Sequence, residues 1–234
     1  MTYKKRNFLN LSDLKKIDLY KIINRAKKLK EIRGNKNKKT LEGINLAMIF
    51  EKPSTRTRVS FEIAIKELGG EAIILDKNNT HLSRGETIAD TARVLERYCQ
   101  IFMIRTTNHK KLLDYDTNSK VPIINGLSNL SHPCQILSDI LTFEEKKGKI
   151  ANKTICWLGD LNNVLYSWAE AANIFGFYLN IAYPKEIKKN IKLAHLTKNK
   201  SNIKFTSNAL KAVEKADCII TDTWFSMGNK KNKK

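Results

Sequence analysis

Phe50-Glu51-Lys52-Pro53-Ser54-Thr55-Arg56-Thr57-Arg58-Val59-Ser60-Phe61-Glu62 is the stretch on which the fold of this chain turns. Before it lies a short apolar run, Asn45 to Phe50, of strand type. After it, Val59 to Leu68 reads as a helix stopped by Gly69-Gly70. A strand that feeds a loop opening a helix begins a βαβ unit. In open α/β sheets ligands bind beyond the carboxyl ends of the strands, which is where this loop stands. Backbone N–H groups and the positive end of the helix dipole converge there. Ser54, Thr55 and Thr57 add hydroxyls, and Arg56 and Arg58 add planar forks that match phosphate oxygens. Nearly every group donates, as a doubly charged phosphate requires. A capped helix start with surface arginines accounts for a lone S-T-R, but less well for S-T-R-T-R at a strand-to-helix junction. The G-x-x-x-x-G-K spacing of nucleotide-binding loops is absent.

Working outward, the pattern alternates. Ser12 is placed to cap a helix reaching about Arg33, with Leu14, Ile17, Ile22, Ala26 and Leu29 as its apolar stripe. Strands are expected at 72–75, 101–104 and 121–124, with helices over 86–98, around 110–113 and over 132–147. The alternation then restarts: strands at 154–158, 178–183, 203–205 and 218–221, helices over 162–175, 185–198 and 208–216. Strands alternating with helices of these lengths mean parallel sheets. The expected architecture is two doubly wound α/β domains, 1–147 and 148–234, the second incomplete at its C-terminal end.

Composition narrows the classes. The chain has 234 residues, 41% of them hydrophobic, enough for two small cored domains. No run of about 18 apolar residues exists to span a membrane. Met1 to Asn10 is basic and polar, not a secretory signal, so a cytoplasmic location is expected. The four cysteines form no C-x-x-C pair, which argues against a zinc knuckle or a thioredoxin-like site. The net charge of +20 comes mostly from lysine spread along the chain among asparagine and isoleucine. That spread reads as compositional bias, and no basic stripe interleaved with aromatics supports a nucleic-acid partner.

Five more segments stand before helices or at the ends of strands. His81-Leu82-Ser83-Arg84-Gly85-Glu86 precedes a helix, and Arg105 ends an apolar strand. His132-Pro133-Cys134-Gln135 opens the long helix, with Pro in its first turn. Gly159-Asp160-Leu161-Asn162-Asn163 follows a strand and opens a helix, and Asp222-Thr223-Trp224-Phe225-Ser226-Met227-Gly228 follows the last strand. Taken alone, these are a polar loop, a solvated strand end and ordinary capped turns.

Together the segments resemble the aspartate and ornithine carbamoyltransferases from about Phe8 to Gly228. The resemblance implies that Ser54, Thr55, Arg56 and Thr57 hold the phosphate of carbamoyl phosphate, with Arg58 supporting the loop. It implies that His81 reaches a neighbouring subunit's site, and that Arg105, His132 and Thr57 stabilise the carbamoyl oxygen. It implies that Gln135 binds the carbamoyl NH2 and that Arg105, His132 and Arg56 are the catalytic set. D-x-W-x-S-M-G implies L-ornithine as acceptor, bound by Asn163, Asp222, Ser226 and the Met227 N–H. The implied reaction gives L-citrulline and phosphate in arginine biosynthesis, by a homotrimer with shared sites and without metal or cofactor. The family continues past this point into an H-C-L-P strand and terminal helices, so the chain reads as C-terminally truncated. The alternative is a non-catalytic remnant that binds carbamoyl phosphate.

Overall fold

In the computed structural model, residues 5–33, 39–76, 85–187 and 191–223 are described. Their strands form two four-stranded parallel sheets. The first contains β1 (Asn45–Phe50), β2 (Glu71–Asp76), β3 (Ile101–Arg105) and β4 (Ile123–Leu127) in the order β2-β1-β3-β4. The second contains β5 (Thr154–Leu158), β6 (Tyr178–Ala182), β7 (Ile203–Thr206) and β8 (Cys218–Thr221) in the order β7-β6-β5-β8. The helices are α1 (Lys16–Glu31), α2 (Thr55–Glu67), α3 (Ile88–Leu95), α4 (His109–Asn118), α5 (Pro133–Lys147), α6 (Asn163–Phe175), α7 (Ile191–Thr197) and α8 (Ala209–Val213). The central strand β1 is buried from Leu46 to Phe50, and β5 from Ile155 to Trp157. Continuous burial is what a parallel strand covered on both faces requires. The doubly wound parallel architecture is therefore as expected.

Several boundaries move, each for a local reason. α2 starts at Thr55 rather than Val59, because the extended Ser54 caps it: the Ser54 hydroxyl oxygen accepts from Thr57 N at 3.3 Å. The S-T-R-T-R segment is thus the first helical turn, not a loop before it. Ser12 does not cap α1. It lies in a 3-10 turn, Leu11–Asp13, where the Asp13 carboxylate accepts from the N–H groups of Leu9 and Asn10. Ser12 instead donates to Glu170 Oε1 on α6, at 2.7 Å. The apolar stripe of α1 is also displaced. Leu19 and Ile23 are buried, whereas Ile17 and Ile22 are 60% and 42% exposed. α3 is shorter than expected because Thr87 caps it, and α4 is longer, running on to Asn118. In the second half, α7 ends at Thr197 and α8 ends at Val213, just before the left-handed Lys215.

The N-terminal segment ties the two sheets together. Phe8 extends the first sheet beside β4: its N–H donates to Ile123 O and its carbonyl accepts from Asn125 N. Three residues later, Leu11 joins the core of the second sheet. Leu11, Leu19 and Ile23 share that core with Ile136 and Ile140 of α5 and with Trp157, Trp168 and Phe175. Residues at the two ends of the first half therefore help to bury the second. Among the described residues no helix is long and apolar enough to cross a membrane.

A β-bulge breaks the pairing of β3 with β4. Ile104 faces Asn125 and Arg105 faces Leu127, so Gly126 has no opposite residue. A Cβ on Gly126 would run into the sulfur of Met103 and press on Ile104 O. Gly126→Ala is expected to cost about 1–3 kcal/mol by overpacking. Equilibrium chemical denaturation measures this; wild-type stability in the variant would show that the bulge needs no glycine.

Candidate active site

The strand orders locate the site before any side chain is considered. β1 is flanked by β2 on one side and β3 on the other, so successive connections leave it in opposite directions. A crevice opens beyond the carboxyl ends of β1 and β3 at this switch point. The same occurs between β5 and β8. A cleft of about 870 Å³ joins the two crevices, and both halves of the chain line it. Ser54, Arg56, Thr57, Arg105, His132 and Gln135 face it from the first half, and Asn162, Asn163 and Asp222 from the second.

At the first switch point Thr57 sits buried in the opening turn of α2, and Arg105 Nη1 donates to its hydroxyl at 3.1 Å. Arg105 Nε is buried and meets no hydrogen-bond partner among the described residues. Burial lowers the pKa of this guanidinium, and the neighbouring charge of Arg56 lowers it further. Two cations thus face one pocket, an arrangement that stabilises an anion placed between them. Thr55 and Arg58 are exposed, and Arg58 pairs with Glu62 one turn along α2 at 3.7 Å.

His132 is the N-cap position of α5, with Pro133 as the first helical residue. Its backbone N–H donates to Ser167 Oγ on α6 at 2.9 Å, which fixes the helix entrance against the second half. Its Nδ1 is buried without a partner among the described residues. Burial, and then the Arg105 guanidinium, lower its pKa to about 4, so the ring is neutral at physiological pH. One turn on, Gln135 Nε2 donates to Asp139 Oδ1 at 2.7 Å. That bond spends an amide N–H and orients the side-chain carbonyl for a donor in the cleft. Burial raises the pKa of Asp139, the Gln135 bond opposes the rise, and the Asp222 carboxylate adds to it.

At the second switch point Asn162 caps α6, accepting from the N–H groups of Val164 and Leu165. Its Nδ2 donates to Asp222 Oδ2 at 2.6 Å, linking the ends of β5 and β8. Asn163 reaches across the cleft, and its Nδ2 donates to the Ser128 carbonyl at 2.8 Å. Nine of the expected site residues lie in the described parts, and eight of them line or border the cleft; Thr55, exposed at the start of α2, does not line it. His81, Ser226 and Met227 lie outside the described residues. Asp139, Ser167 and the Asn162–Asp222 bond were not foreseen. Of these, the i, i+4 spacing of Gln135 and Asp139 on one helix was a readable signal.

Comparison with known proteins covers both halves. Residues 6–145 match the family model described as "Aspartate/ornithine carbamoyltransferase, carbamoyl-P binding domain". Residues 151–234 match the model described as "Aspartate/ornithine carbamoyltransferase, Asp/Orn binding domain". An ornithine carbamoyltransferase of Nitrobacter winogradskyi is 48% identical over 228 residues, covering 96% of this chain and 74% of the relative. One from Rhodopseudomonas palustris is also 48% identical over 228 residues, with the same coverage. Among solved structures, the ornithine carbamoyltransferase of Pyrococcus furiosus superposes with a TM-score of 0.90 at 42% identity, covering 96% of this chain and 74% of that one. The anabolic enzyme of Campylobacter jejuni gives 0.87 at 40% identity, with coverage of 95% and 74%. With both halves matched in chain order on the same pair of parallel sheets, the chain belongs to the aspartate/ornithine carbamoyltransferase family.

Proposed function

We propose that this protein transfers the carbamoyl group of carbamoyl phosphate to the side-chain amine of L-ornithine, giving L-citrulline and phosphate. The observation that carries the reading is the Arg56–Arg105–Thr57 cluster at the first switch point: two cations, a hydroxyl and a helix N-terminus, with no carboxylate among the described residues bonded to either guanidinium. The relatives' names supply the reaction class. On this reading residues 1–147 form the carbamoyl-phosphate-binding domain and 148–234 the ornithine-binding domain. It also takes arginine biosynthesis in the cytoplasm as the setting, and a homotrimer whose neighbouring subunit supplies His81.

The chemistry follows from the placement. At the start of α2, where N–H groups and the helix dipole favour a dianion, Ser54, Arg56 and Thr57 hold the phosphate, and Thr55 adds its backbone N–H and not its exposed side chain. The carbamoyl oxygen points to Arg105, His132 and Thr57. Asn163, Asp222, Ser226 and Met227 hold the α-carboxylate and α-ammonium of ornithine, which aims its deprotonated side-chain amine at the carbamoyl carbon. The amine lone pair forms the new C–N bond, and negative charge builds on the oxygen that Arg105 and His132 face. Donors fixed in advance around that oxygen cost no reorganisation during the step. The C–O bond to phosphate then breaks and the proton of the former amine passes to the departing phosphate, which leaves as the dianion that Arg56 stabilises. The depressed pKa of His132 means that it acts through a neutral ring, as a hydrogen-bond donor and not as a second full charge beside Arg105.

Three measurements test this. Arg56→Ala is expected to weaken carbamoyl phosphate binding by about 1.5–3 kcal/mol, the worth of a charge-assisted hydrogen bond; unchanged affinity by calorimetry overturns the phosphate assignment. Asp222→Ala is expected to weaken ornithine binding while carbamoyl phosphate affinity holds. Equal loss of both ligands would show that the substitution acts by breaking the Asn162 bond and unfolding the second half. The third concerns acid. The unfolded chain takes up a proton on His132 near the ordinary 6.5, the folded chain near about 4. The contribution to stability is therefore full above about 6.5 and is lost as pH falls toward 4. An NMR titration of the His132 ring should show a neutral imidazole down to about pH 5; a midpoint near 6.5 contradicts the buried placement.

A further inference from the structure

Glu51 lies in the signature stretch but does not line the large cleft. It borders a separate cavity of about 240 Å³ with Thr106, Lys111 and Tyr115. Its contacts all run toward the segment that carries Arg105. The regular pairing of β1 with β3 ends at Phe50 opposite Arg105. Beyond that pair the strands part, β1 into the phosphate-binding turn and β3 toward α4. Glu51 continues the attachment by one residue. Its N–H donates to Arg105 O at 2.9 Å. Its Oε2 accepts from Thr106 Oγ1 at 2.5 Å and from Thr107 N at 3.3 Å, and its Oε1 pairs with Lys111 Nζ.

An attachment is needed at this point. The side chain of Arg105 is held by the Thr57 hydroxyl alone among the contacts described, with a buried Nε that meets no partner and the like charge of Arg56 beside it. Repulsion between the two guanidinium groups pushes apart the two strand ends that must converge on one substrate. The charge of Glu51 is met by Lys111, so its hold on Arg105 runs through the backbone bond and the segment that follows. Burial works against ionisation of Glu51, but the bonds from Lys111 and Thr106 outweigh it and hold the carboxyl below its usual range.

We infer that Glu51 is a positioning residue, which clasps the end of β3 through Thr106, Thr107 and Lys111 so that Arg105 is set against the carbamoyl group of a substrate whose phosphate is held three residues further along the chain. The inference rests on the reading of the cleft as a carbamoyl phosphate site. It makes a specific demand. Inorganic phosphate needs only the turn that opens α2, whereas carbamoyl phosphate needs that turn and Arg105 in register. Loosening the clasp therefore removes the preference for carbamoyl phosphate over phosphate and leaves phosphate binding in place. A general loss of stability would lower both affinities together.

The test is calorimetric binding of carbamoyl phosphate and of inorganic phosphate to the intact protein, with the ratio of their affinities as the readout. In Glu51→Ala the ratio is expected to fall about tenfold or more, as displaced catalytic groups are costly. Phosphate affinity should stay within about threefold. Thr106→Val cuts a single strand of the clasp without emptying its volume and should lower the ratio in the same direction. Glu51→Gln keeps acceptors for Thr106 and Thr107 and should restore most of the preference. If Glu51→Ala fails to fold, Thr106→Val decides. An unchanged ratio in Thr106→Val, or parallel loss of both ligands, overturns the inference while the site reading stands. A wild-type protein that does not prefer carbamoyl phosphate overturns both.

Discussion

Parallel pairing on both edges of β1 is the constraint on which the rest depends. Here β2 lies on one side of β1 and β3 on the other, so the chain moves outward from β1 to β2 and then crosses back past β1 to β3, and right-handed crossovers put the two following helices on opposite faces. A crevice results from chain connectivity alone, before any side chain is chosen. The arrangement is repeated at β5, between β6 and β8. Because the N-terminal segment joins both sheets, the two crevices open into one cleft. The architecture thus provides two adjacent sites of opposite need, one for a phosphate and one for an amino acid. Loop length and loop chemistry are left to decide which.

The cleft is electrostatically unfinished as it stands. Arg56 and Arg105 raise each other's cost, His132 avoids adding a third charge by staying neutral, and buried nitrogens of Arg105 and His132 lack partners among the described residues. Such orphaned donors cost stability. They are retained where a ligand repays that cost. The stabilising interactions lie just outside the cleft: Asn163 on the Ser128 carbonyl, His132 N–H on Ser167, Ser12 on Glu170. These bonds join the halves around the strained groups without neutralising them.

What could be read in the sequence was what depends on near neighbours. β1, β5 and β8 were bounded correctly because each is an apolar run closed by turn residues. The donor-rich S-T-R-T-R segment was legible because its donors occupy five consecutive residues, although it forms the first turn of α2 and not a loop before it. The rest depended on distant partners. Ser12 looked like a helix cap until Glu170, 158 residues away, claimed its hydroxyl. The stripe of α1 was misjudged because packing on α5 selects Leu19 and Ile23, where the isolated period accepts Ile17 and Ile22 as well. Asp222 read as a ligand for an amino acid, but its bond to Asn162 spans 60 residues and has no local signature. Glu51 looked like a spacer in its motif, since its partners stand 55 to 60 residues downstream.

The bulge at Gly126 bears on how this family can change over time. Side chains alternate across a strand with a period of two, so one extra residue reverses the face presented by everything that follows until the strand ends. In β4 that extra residue sets Leu127 opposite Arg105 and leads on to His132, and both Leu127 and His132 line the cleft. Losing one codon here would turn those residues toward the wrong side, although no ligand-binding group had been deleted. Surface connections elsewhere tolerate drift in length. Between Ile123 and His132 the number of residues therefore matters as well as their identity, because it sets which residue faces Arg105.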